Sequence, residues 1–242
     1  MWGKQTVAVI LPTYREKKSI FDVIMDFDST GLVDEIIVVD NNAEKGTEEE
    51  VKKTRARLIK EKRQGYGIAI QTGIKSTKAD LLIIAEPDGT FDGQDVVKLL
   101  AYSDNFDTVF GSRTHVPLIQ KHSEMSFLRR IADVVWGKLI SFLFLCSPFT
   151  DVGCSLRLTN RKGWKKVSSE CRSTGSLFAT EWQLVAAKNK VNFIEIPIHF
   201  KSRVGKSSVT DTFSKQSKWA IIMFFYIWWV WLYKLWGRKL YN

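Results

Sequence analysis

Cysteine is scarce in this sequence, and histidine does not form a pattern that would replace it as a metal ligand. The three cysteines among 242 residues, Cys146, Cys154 and Cys171, have neither an even count nor the spacing of metal ligands. The sequence therefore implies no disulfide framework, and a reducing compartment is expected. The three histidines lack a paired spacing, either on one helix or near the cysteines, so a zinc site is not predicted.

The N-terminus lacks the features of a secretory signal. The run MWGKQTVAVILPTY enters a strand-like segment almost at once. It has no basic region followed by a long apolar stretch and a small-residue cleavage site. Targeting by a cleaved leader is therefore not expected.

Negative charge is in deficit, since 36 lysines and arginines face 26 aspartates and glutamates and the formal charge is +10. Such a balance permits nucleic acid, anionic lipid or phosphorylated small molecules as partners. A nucleic-acid-binding protein would place its basic residues among exposed aromatics. Here the aromatics concentrate in the C-terminal segment, so no nucleic-acid partner is expected.

Residues 219–236 contain one charge in eighteen positions and five of the nine tryptophans. As a helix this segment would be about 27 Å long, close to the thickness of the hydrocarbon core of a bilayer. The sequence predicts a domain over residues 1–214 and a single-pass membrane anchor over residues 215–242, which is also a candidate for self-association. The excess of positive charge before the span favours a cytoplasmic domain. A buried core helix and a helix in the plane of the membrane interface remain alternatives.

The rest of the chain alternates short strand-like runs with helix-like runs. VAVILPT, EIIVVD, RLIK, LLIIA, DTVFGSR and NFIEIPIHF have the composition of strands, and most are separated by segments predicted to be helical, among them the charged run TEEEVKKTRA. Such alternation predicts an α/β, Rossmann-like fold with a mainly parallel sheet covered on both faces. Residues 125–146 form a longer helical stretch that packs on the sheet or lies on a membrane surface as an amphipathic interface helix.

Polar residues follow three of these strands at their carboxyl ends, where ligands of parallel sheets bind. Glu86 and Asp88 form an acid-x-acid pair after LLIIA. Two carboxylates placed in this way can hold Mg²⁺ or Mn²⁺ and the phosphates that the cation carries. Capping of a turn is the alternative for any one strand end, but the three ends together favour a ligand site. The candidate residues at the ends of the other two strands are Pro12, Tyr14, Glu16, Asp40 and Asn41.

The segment KEKRQGYGIAIQTGI places two glycines at the start of a predicted helix. Gly65 and Gly67 would let a backbone approach a ligand closely, and a helix N-terminus favours phosphate. A G-x-G pair also marks ordinary tight turns. With Arg63 just upstream, the segment is a candidate wall of a nucleotide site.

These pieces together resemble the family 2 glycosyltransferases of the GT-A fold, and within them the polyprenyl-phosphate glycosyltransferases such as dolichol-phosphate mannose synthase. The resemblance covers residues 7–208. It is carried, in the order found in the family, by VILPTYREKKSI, IIVVDNN, RQGYGIAIQTGI, IIAEPDGTF, VFGSR, LRRIA, DVGCSLR, FATEWQL and IEIPIHFKSRVGKSS.

The resemblance implies a membrane-anchored enzyme that moves a sugar from a GDP- or UDP-linked donor to a polyprenyl phosphate by an inverting, metal-dependent reaction. Glu86 and Asp88 would hold the metal and the donor diphosphate. Roles for other residues follow from the same resemblance. The nucleotide sugar would contact Pro12, Tyr14, Glu16, Asp40, Asn41, Arg63, Gly65 and Gly67. The donor diphosphate or the acceptor phosphate would contact Arg113, Arg130, Arg203, Lys206 and Ser207. Asp151 and Arg157 match the first and last residues of the D-x-x-S-G-x-R segment of the family.

Four positions depart from the family pattern. Glu86 replaces an aspartate, Asn41 replaces a frequent second aspartate, Ser155 stands where glycine is common, and no glutamine follows the acid pair. These substitutions affect the expected identity of the donor sugar and some of the expected metal contacts, but not the expected class of reaction.

Whether catalysis needs a base depends on the acceptor. A phosphate monoester already presents an anionic oxygen above its second pKa of about 6, whereas a hydroxyl must lose a proton, for which Glu181 is the candidate. The first alternative is thus a glycosyltransferase that extends a lipid-linked or cell-surface glycan through a hydroxyl. Two alternatives from other classes are a nucleotidyltransferase and a non-catalytic, membrane-tethered nucleotide-binding protein.

Overall fold

A computed structural model describes residues 1–205 and 221–232. Its centre is a seven-stranded sheet in the order β3-β2-β1-β4-β6-β5-β7. Strands β1 to β4 run parallel, β5 pairs in parallel with β7, and β6 runs antiparallel to both of its neighbours. The strands are β1 (Val7–Thr13), β2 (Glu35–Asp40), β3 (Arg57–Lys60), β4 (Leu81–Ile84), β5 (Thr108–Ser112), β6 (Arg157–Asn160) and β7 (Phe193–Pro197).

Helices cover both faces of this sheet, as the sequence predicts for an α/β fold. They are α1 (Ile20–Ser29), α2 (Thr47–Val51), α3 (Tyr66–Lys75), α4 (Asp95–Ala101), α5 (Phe127–Phe144), α6 (Arg161–Ser168) and α7 (Phe178–Lys188), with a 3₁₀ turn at Val116–Leu118. Residues 221–232 are also helical.

Alternation of side chains along β1 divides the core into two layers. Val7, Val9 and Leu11 pack with α1 and α4, whereas Ala8 and Ile10 pack with α3, α5 and α7 on the other face. All five side chains are fully buried. Because both faces of the strand are covered, the sequence of β1 is apolar at successive positions.

Two elements differ from the prediction. Strand β6, with the sequence RLTN, is missing from the predicted strands, because it is short and polar and has little apolar character of its own. Its pairing with β4 and β5 comes from tertiary context. Helix α2 is shorter than the predicted run TEEEVKKTRA and ends at Val51.

The predicted membrane span at residues 219–236 lies only partly within the described residues. Among these residues, no helix combines the length and the apolar character needed to cross a bilayer. The described part packs against the domain, since Tyr226 donates a hydrogen bond to Glu181 (2.6 Å) and Trp231 Nε1 donates to the carbonyl of Leu143 (3.0 Å). Ile227 is fully buried in the core layer that contains α5 and α7.

Candidate active site

A cavity of about 650 Å³ opens where β1, β2 and β4 end. One end is built from the turns after these strands and from the start of α3, and the other end is built from α5 and the loop before β6. The described residues bring eight of the predicted site residues into its lining: Pro12, Tyr14, Glu16, Asn41, Gly65, Glu86, Arg113 and Arg203.

The acid pair lies at the floor of this cavity. Glu86 lines the cavity, whereas Asp88 lies just behind it and is 1% exposed. The Oδ1 atom of Asp88 accepts hydrogen bonds from the amide (2.9 Å) and the hydroxyl (2.6 Å) of Thr90. Its Oδ2 atom accepts no hydrogen bond from the described residues, but it lies in ion-pair contact with Arg203. One carboxylate oxygen is thus fixed by the turn, and the other faces the positive charge of Arg203.

The two carboxyl groups influence each other. Burial, followed by the negative charge of Glu86, raises the pKa of Asp88 to about 7. Burial also acts to raise the pKa of Glu86, but the charge of Arg203 and a hydrogen bond with Asp88 outweigh it and lower that pKa. Two acids this close titrate as a unit, and a bound cation would favour the form in which both are ionised.

Arg203 lies against both acids. Its guanidinium contacts Glu86 Oε2 at 3.3 Å, Glu124 Oε2 at 3.5 Å and the Oδ2 atom of Asp88. The backbone holds it there, because the amide of Val204 donates to the carbonyl of Asp88 (2.9 Å). The basic residue and the acid pair therefore form one unit, although they are more than a hundred positions apart in the sequence.

Asn41 fastens the wall formed by residues 61–65. Its Nδ2 atom donates to the carbonyls of Glu61 (2.9 Å) and Arg63 (2.8 Å), and its Oδ1 atom accepts from the amide of Gly65 (2.7 Å). An aspartate could not donate to the two carbonyls. The amide at this position, a departure from the family pattern, is thus explained by the wall that it supports.

The glycines of this wall allow close packing. A Cβ atom on Gly65 would lie 2.4 Å from the carbonyl oxygen of Thr174, and one on Gly67 would lie 2.3 Å from that of Ser173. Gly67 is buried in α3 and does not line the cavity. Its role in the structure is to let α3 approach the loop before α7.

Glu16 shapes the turn after β1. One oxygen, Oε2, accepts hydrogen bonds from the amides of Tyr14 (2.7 Å) and Arg15 (2.8 Å) and from the hydroxyl of Thr13 (3.1 Å). This turn places Tyr14 in the cavity lining, where its side chain is 38% exposed. An aromatic ring in this position can stack on a base.

Arg113 and Asp151 form a buried pair at the other end of the cavity. The guanidinium donates from Nε (2.8 Å) and Nη2 (2.7 Å) to the two carboxylate oxygens, and the amide of Arg113 donates to Oδ2 (2.6 Å). Burial opposes ionisation of Asp151, but Arg113 overcomes it and lowers the pKa of the carboxyl group. Asp151 therefore remains charged and orients Arg113.

Helix α5 contributes a face that sequence reasoning did not find. Arg129, Asp133 and Trp136 line the cavity, at the i, i+4, i+7 spacing of one helix face. Arg130, the predicted residue, lies over the exposed ring of Phe127 at 5.3 Å and is not in the lining. The i, i+4 spacing of Arg129 and Asp133 is the signal that could have identified this face.

Three further predicted residues lie outside the cavity lining. Asp40 accepts a hydrogen bond from the amide of Ala43 (2.7 Å), and Arg63 is an exposed partner of Glu61 (2.9 Å). Glu181 is 4% exposed and accepts hydrogen bonds from the Ser173 amide and Tyr226, so it is engaged in packing. Lys206 and Ser207 lie outside the described residues.

Arg157 supports the site from beneath. It is 1% exposed and donates to the carbonyls of Ala179 (3.0 Å), Ser155 (3.4 Å) and Cys154. The rings of Phe110 and Trp182 lie at 5.3 and 5.2 Å from its guanidinium carbon. These contacts hold the loop before β6, which carries Gly153 and Ser155 into the cavity lining.

Comparisons with known proteins agree with this architecture. The model of the family described as glycosyl transferase family 2 matches residues 8–150, more than half of the chain. A dolichyl-phosphate hexose transferase of Haloferax volcanii is 27% identical over 84% of this chain and 86% of its own length. A UDP-N-acetylglucosamine–dolichyl-phosphate N-acetylglucosaminyltransferase of Methanococcus voltae is 27% identical over 79% and 84%.

Among solved structures, glucosyl-3-phosphoglycerate synthase from Mycobacterium tuberculosis, in complex with Mn²⁺, UDP and glucosyl-3-phosphoglycerate, superposes with a TM-score of 0.68. It is 18% identical, and the match covers 93% of this chain and 80% of that one. This likeness shows that the two chains share a fold.

Proposed function

Because this chain belongs to glycosyl transferase family 2, we propose that it transfers a hexose from a UDP- or GDP-linked donor to a polyprenyl phosphate. The observation that carries the proposal is a single cavity with an acid pair at one end and two arginines, Arg113 and Arg129, at the other. The dolichyl-phosphate transferases among its relatives support this acceptor class.

The donor occupies the end formed by the strand turns. Tyr14 lies beside the base, and the loop that Asn41 fastens encloses the nucleoside. Glu86 and Asp88 fit a divalent cation, since both carboxylates lie against the guanidinium of Arg203 and therefore converge on a position that already holds positive charge. When bound, Mg²⁺ or Mn²⁺ would neutralise charge that develops on the departing diphosphate.

The acceptor occupies the end formed by α5. Arg113, held by Asp151, and Arg129 are placed to bind its phosphate. Leu128, Trp136 and Met223 provide an apolar wall for the first part of the prenyl chain. A phosphate oxygen attacks the anomeric carbon in a single displacement that inverts its configuration. Because that oxygen is already anionic, no carboxylate base is required.

An exposed apolar face surrounds the acceptor end, and we assign it to a membrane surface. The acceptor carries a lipid chain, and a face of this kind is unusual on a water-soluble monomer. The described part of the face consists of Phe127, Leu128, Ile131, Val135, Phe142, Phe225 and Trp229, which are 44–75% exposed. The segment predicted as a single-pass anchor, residues 215–242, contributes Phe225 and Trp229 to this face through its described part, and we assign the domain to the cytoplasmic side of the membrane.

Vesicle co-sedimentation tests the membrane face. Ile131→Asp should reduce the bound fraction, whereas Val97→Asp, at a similarly exposed position on α4 (47% against 44%), should leave it unchanged. Equal binding of both variants and the wild type would remove the face from the proposal.

The activity itself is tested with purified protein in detergent, a panel of UDP- and GDP-sugars, and a polyprenyl phosphate. Asp88→Asn should lose at least a hundredfold in turnover, and chelation of divalent cations should abolish turnover. Asp104→Asn, which removes a charge from an exposed turn, is the matched control. Transfer to a glycan hydroxyl but not to a prenyl phosphate, or full activity of Asp88→Asn, would refute the assignment.

A further inference from the structure

Asp133 is a half-buried acid that the proposed mechanism does not use. It lies in the cavity lining beside Arg129 on α5. Its Oδ2 atom is buried, and no group within residues 1–205 and 221–232 forms a hydrogen bond with it. A carboxylate oxygen in this condition is costly, because it has lost water and gained no donor. Protonation removes most of that cost.

The charged groups around Asp133 come from three elements. Arg113 follows β5, Asp151 belongs to the loop before β6, and Arg129 shares α5 with Asp133. Behind Asp151, Glu195 of β7 accepts the Asp151 amide hydrogen bond (3.0 Å). Since Asp151 stays ionised against Arg113, its charge acts directly against ionisation of Asp133.

The charge balance decides what happens when a phosphate arrives. With Asp133 ionised, the two arginines and the two aspartates sum to zero, so the site offers a phosphate no net attraction. With Asp133 protonated, the same site carries one positive charge and also offers an O–H donor to a phosphate oxygen.

We propose that Asp133 is a proton-linked positioning residue for the acceptor, which takes up a proton as the phosphate binds between Arg113 and Arg129. The inference rests on the proposed function, because it assumes a phosphate acceptor at this end of the cavity. It makes acceptor affinity depend on pH through a residue that does not touch the reacting carbon.

The magnitude follows from the titration of the free site. Burial, followed by the charge of Asp151, raises the pKa of Asp133 to about 7 against the opposing charges of Arg113 and Arg129. At pH 8 only about one tenth of the free protein is then protonated there, so acceptor affinity should be about tenfold lower than with a fully protonated site. At pH 6 the loss should nearly vanish.

The test is calorimetric titration of the full chain with geranyl phosphate between pH 6 and 8.5, in HEPES and in Tris, whose ionisation enthalpies differ. The wild type should take up about 0.7 proton per ligand at pH 7.5. Asp133→Asn, which mimics the neutral acid, should bind about tenfold more tightly than wild type at pH 8, equally at pH 6, and with little proton uptake. Asp104→Asn should behave as wild type.

The outcomes separate the two ideas. Binding without proton uptake by the wild type, or the same pH profile in Asp133→Asn, overturns the role of Asp133 and leaves the phosphate acceptor standing. The wild-type titration needs no variant to fold. No binding of geranyl phosphate at any pH, in protein that binds UDP, refutes the acceptor class and the inference with it. If Asp133→Asn binds the acceptor with the affinity of the wild type but is inactive in sugar transfer, Asp133 would instead be assigned the role of a general base.

Discussion

Replacing Asn41 by aspartate tests whether the side-chain amide of Asn41 holds the wall formed by residues 61–65, which encloses the nucleotide sugar in the proposed function. The substitution preserves shape but removes the two N–H donors that reach the carbonyls of Glu61 and Arg63. It leaves an oxygen facing each of those carbonyls, at a site only 3% exposed. The aspartate still accepts the hydrogen bond from the Gly65 amide. Only the two hydrogen bonds that Asn41 donates are therefore lost.

The expected loss of unfolding free energy is about 2 to 4 kcal/mol, since each buried group left unpaired costs about 1 to 3 kcal/mol. For a chain of this length that corresponds to a decrease in melting temperature of roughly 5 to 15 °C. Urea unfolding followed by tryptophan fluorescence measures the first quantity. Calorimetric titration with UDP should also show weaker binding, because the loosened wall must be ordered before it encloses the nucleoside.

Asn42→Asp is the control for this experiment. Asn42 is the next residue and also donates through its amide, to the carbonyl of Lys62 (3.1 Å) and to Gln64 (2.9 Å), but it is exposed. Water can replace these donors, so the change should be within about 1 kcal/mol. Equal stability of Asn41→Asp and Asn42→Asp would refute the reasoning from buried donors.

Three further substitutions test the supports of the site by urea unfolding. Gly67→Ala should destabilise by about 1 to 3 kcal/mol despite its better helix propensity, because the new Cβ would lie 2.3 Å from the carbonyl of Ser173; unchanged or higher stability would contradict the packing. Arg157→Met should cost about 2 to 4 kcal/mol, since three main-chain carbonyls lose their donor; a neutral result would contradict that role. Asp151→Asn should cost about 3 to 5 kcal/mol at pH 7 by leaving Arg113 buried without its partner. The lowered pKa of Asp151 means that the wild type loses this contribution as the pH falls below about 3.9 and through the folded value, so the deficit of the variant should shrink there; a deficit that does not change with pH would contradict the pairing.

The fold could be predicted where the apolar pattern of a segment determines its structure. Strands β1, β2 and β4 are buried on both faces, and their continuous apolar runs identify them without knowledge of their neighbours. Strand β6 has no such run. It becomes a strand because β4 and β5 leave a gap between them, which is a property of the assembled sheet.

The donor end of the site was predicted better than the acceptor end for a geometric reason. Residues after parallel strands meet at one edge of the sheet whatever their exact position in the turn, so Tyr14, Asn41 and Glu86 reach the same cavity. On a helix, one position is a rotation of about 100°. That rotation separates Arg129, which lines the cavity, from Arg130, which lies over Phe127.

The charges at the two ends of the cavity explain why one substrate would bind together with a metal ion and the other together with a proton. Among the described residues at the donor end, three carboxylates, Glu86, Asp88 and Glu124, surround the guanidinium of Arg203. A diphosphate entering this end is repelled unless a cation accompanies it. At the acceptor end, Arg113 and Arg129 are balanced by Asp151 and Asp133, so a single proton is sufficient to make the site attractive to a phosphate. On the proposed function, the donor would therefore bind with a metal ion and the acceptor with a proton. Donor binding should then respond to chelation and acceptor binding to pH, and a common response of both substrates to either treatment would contradict this division.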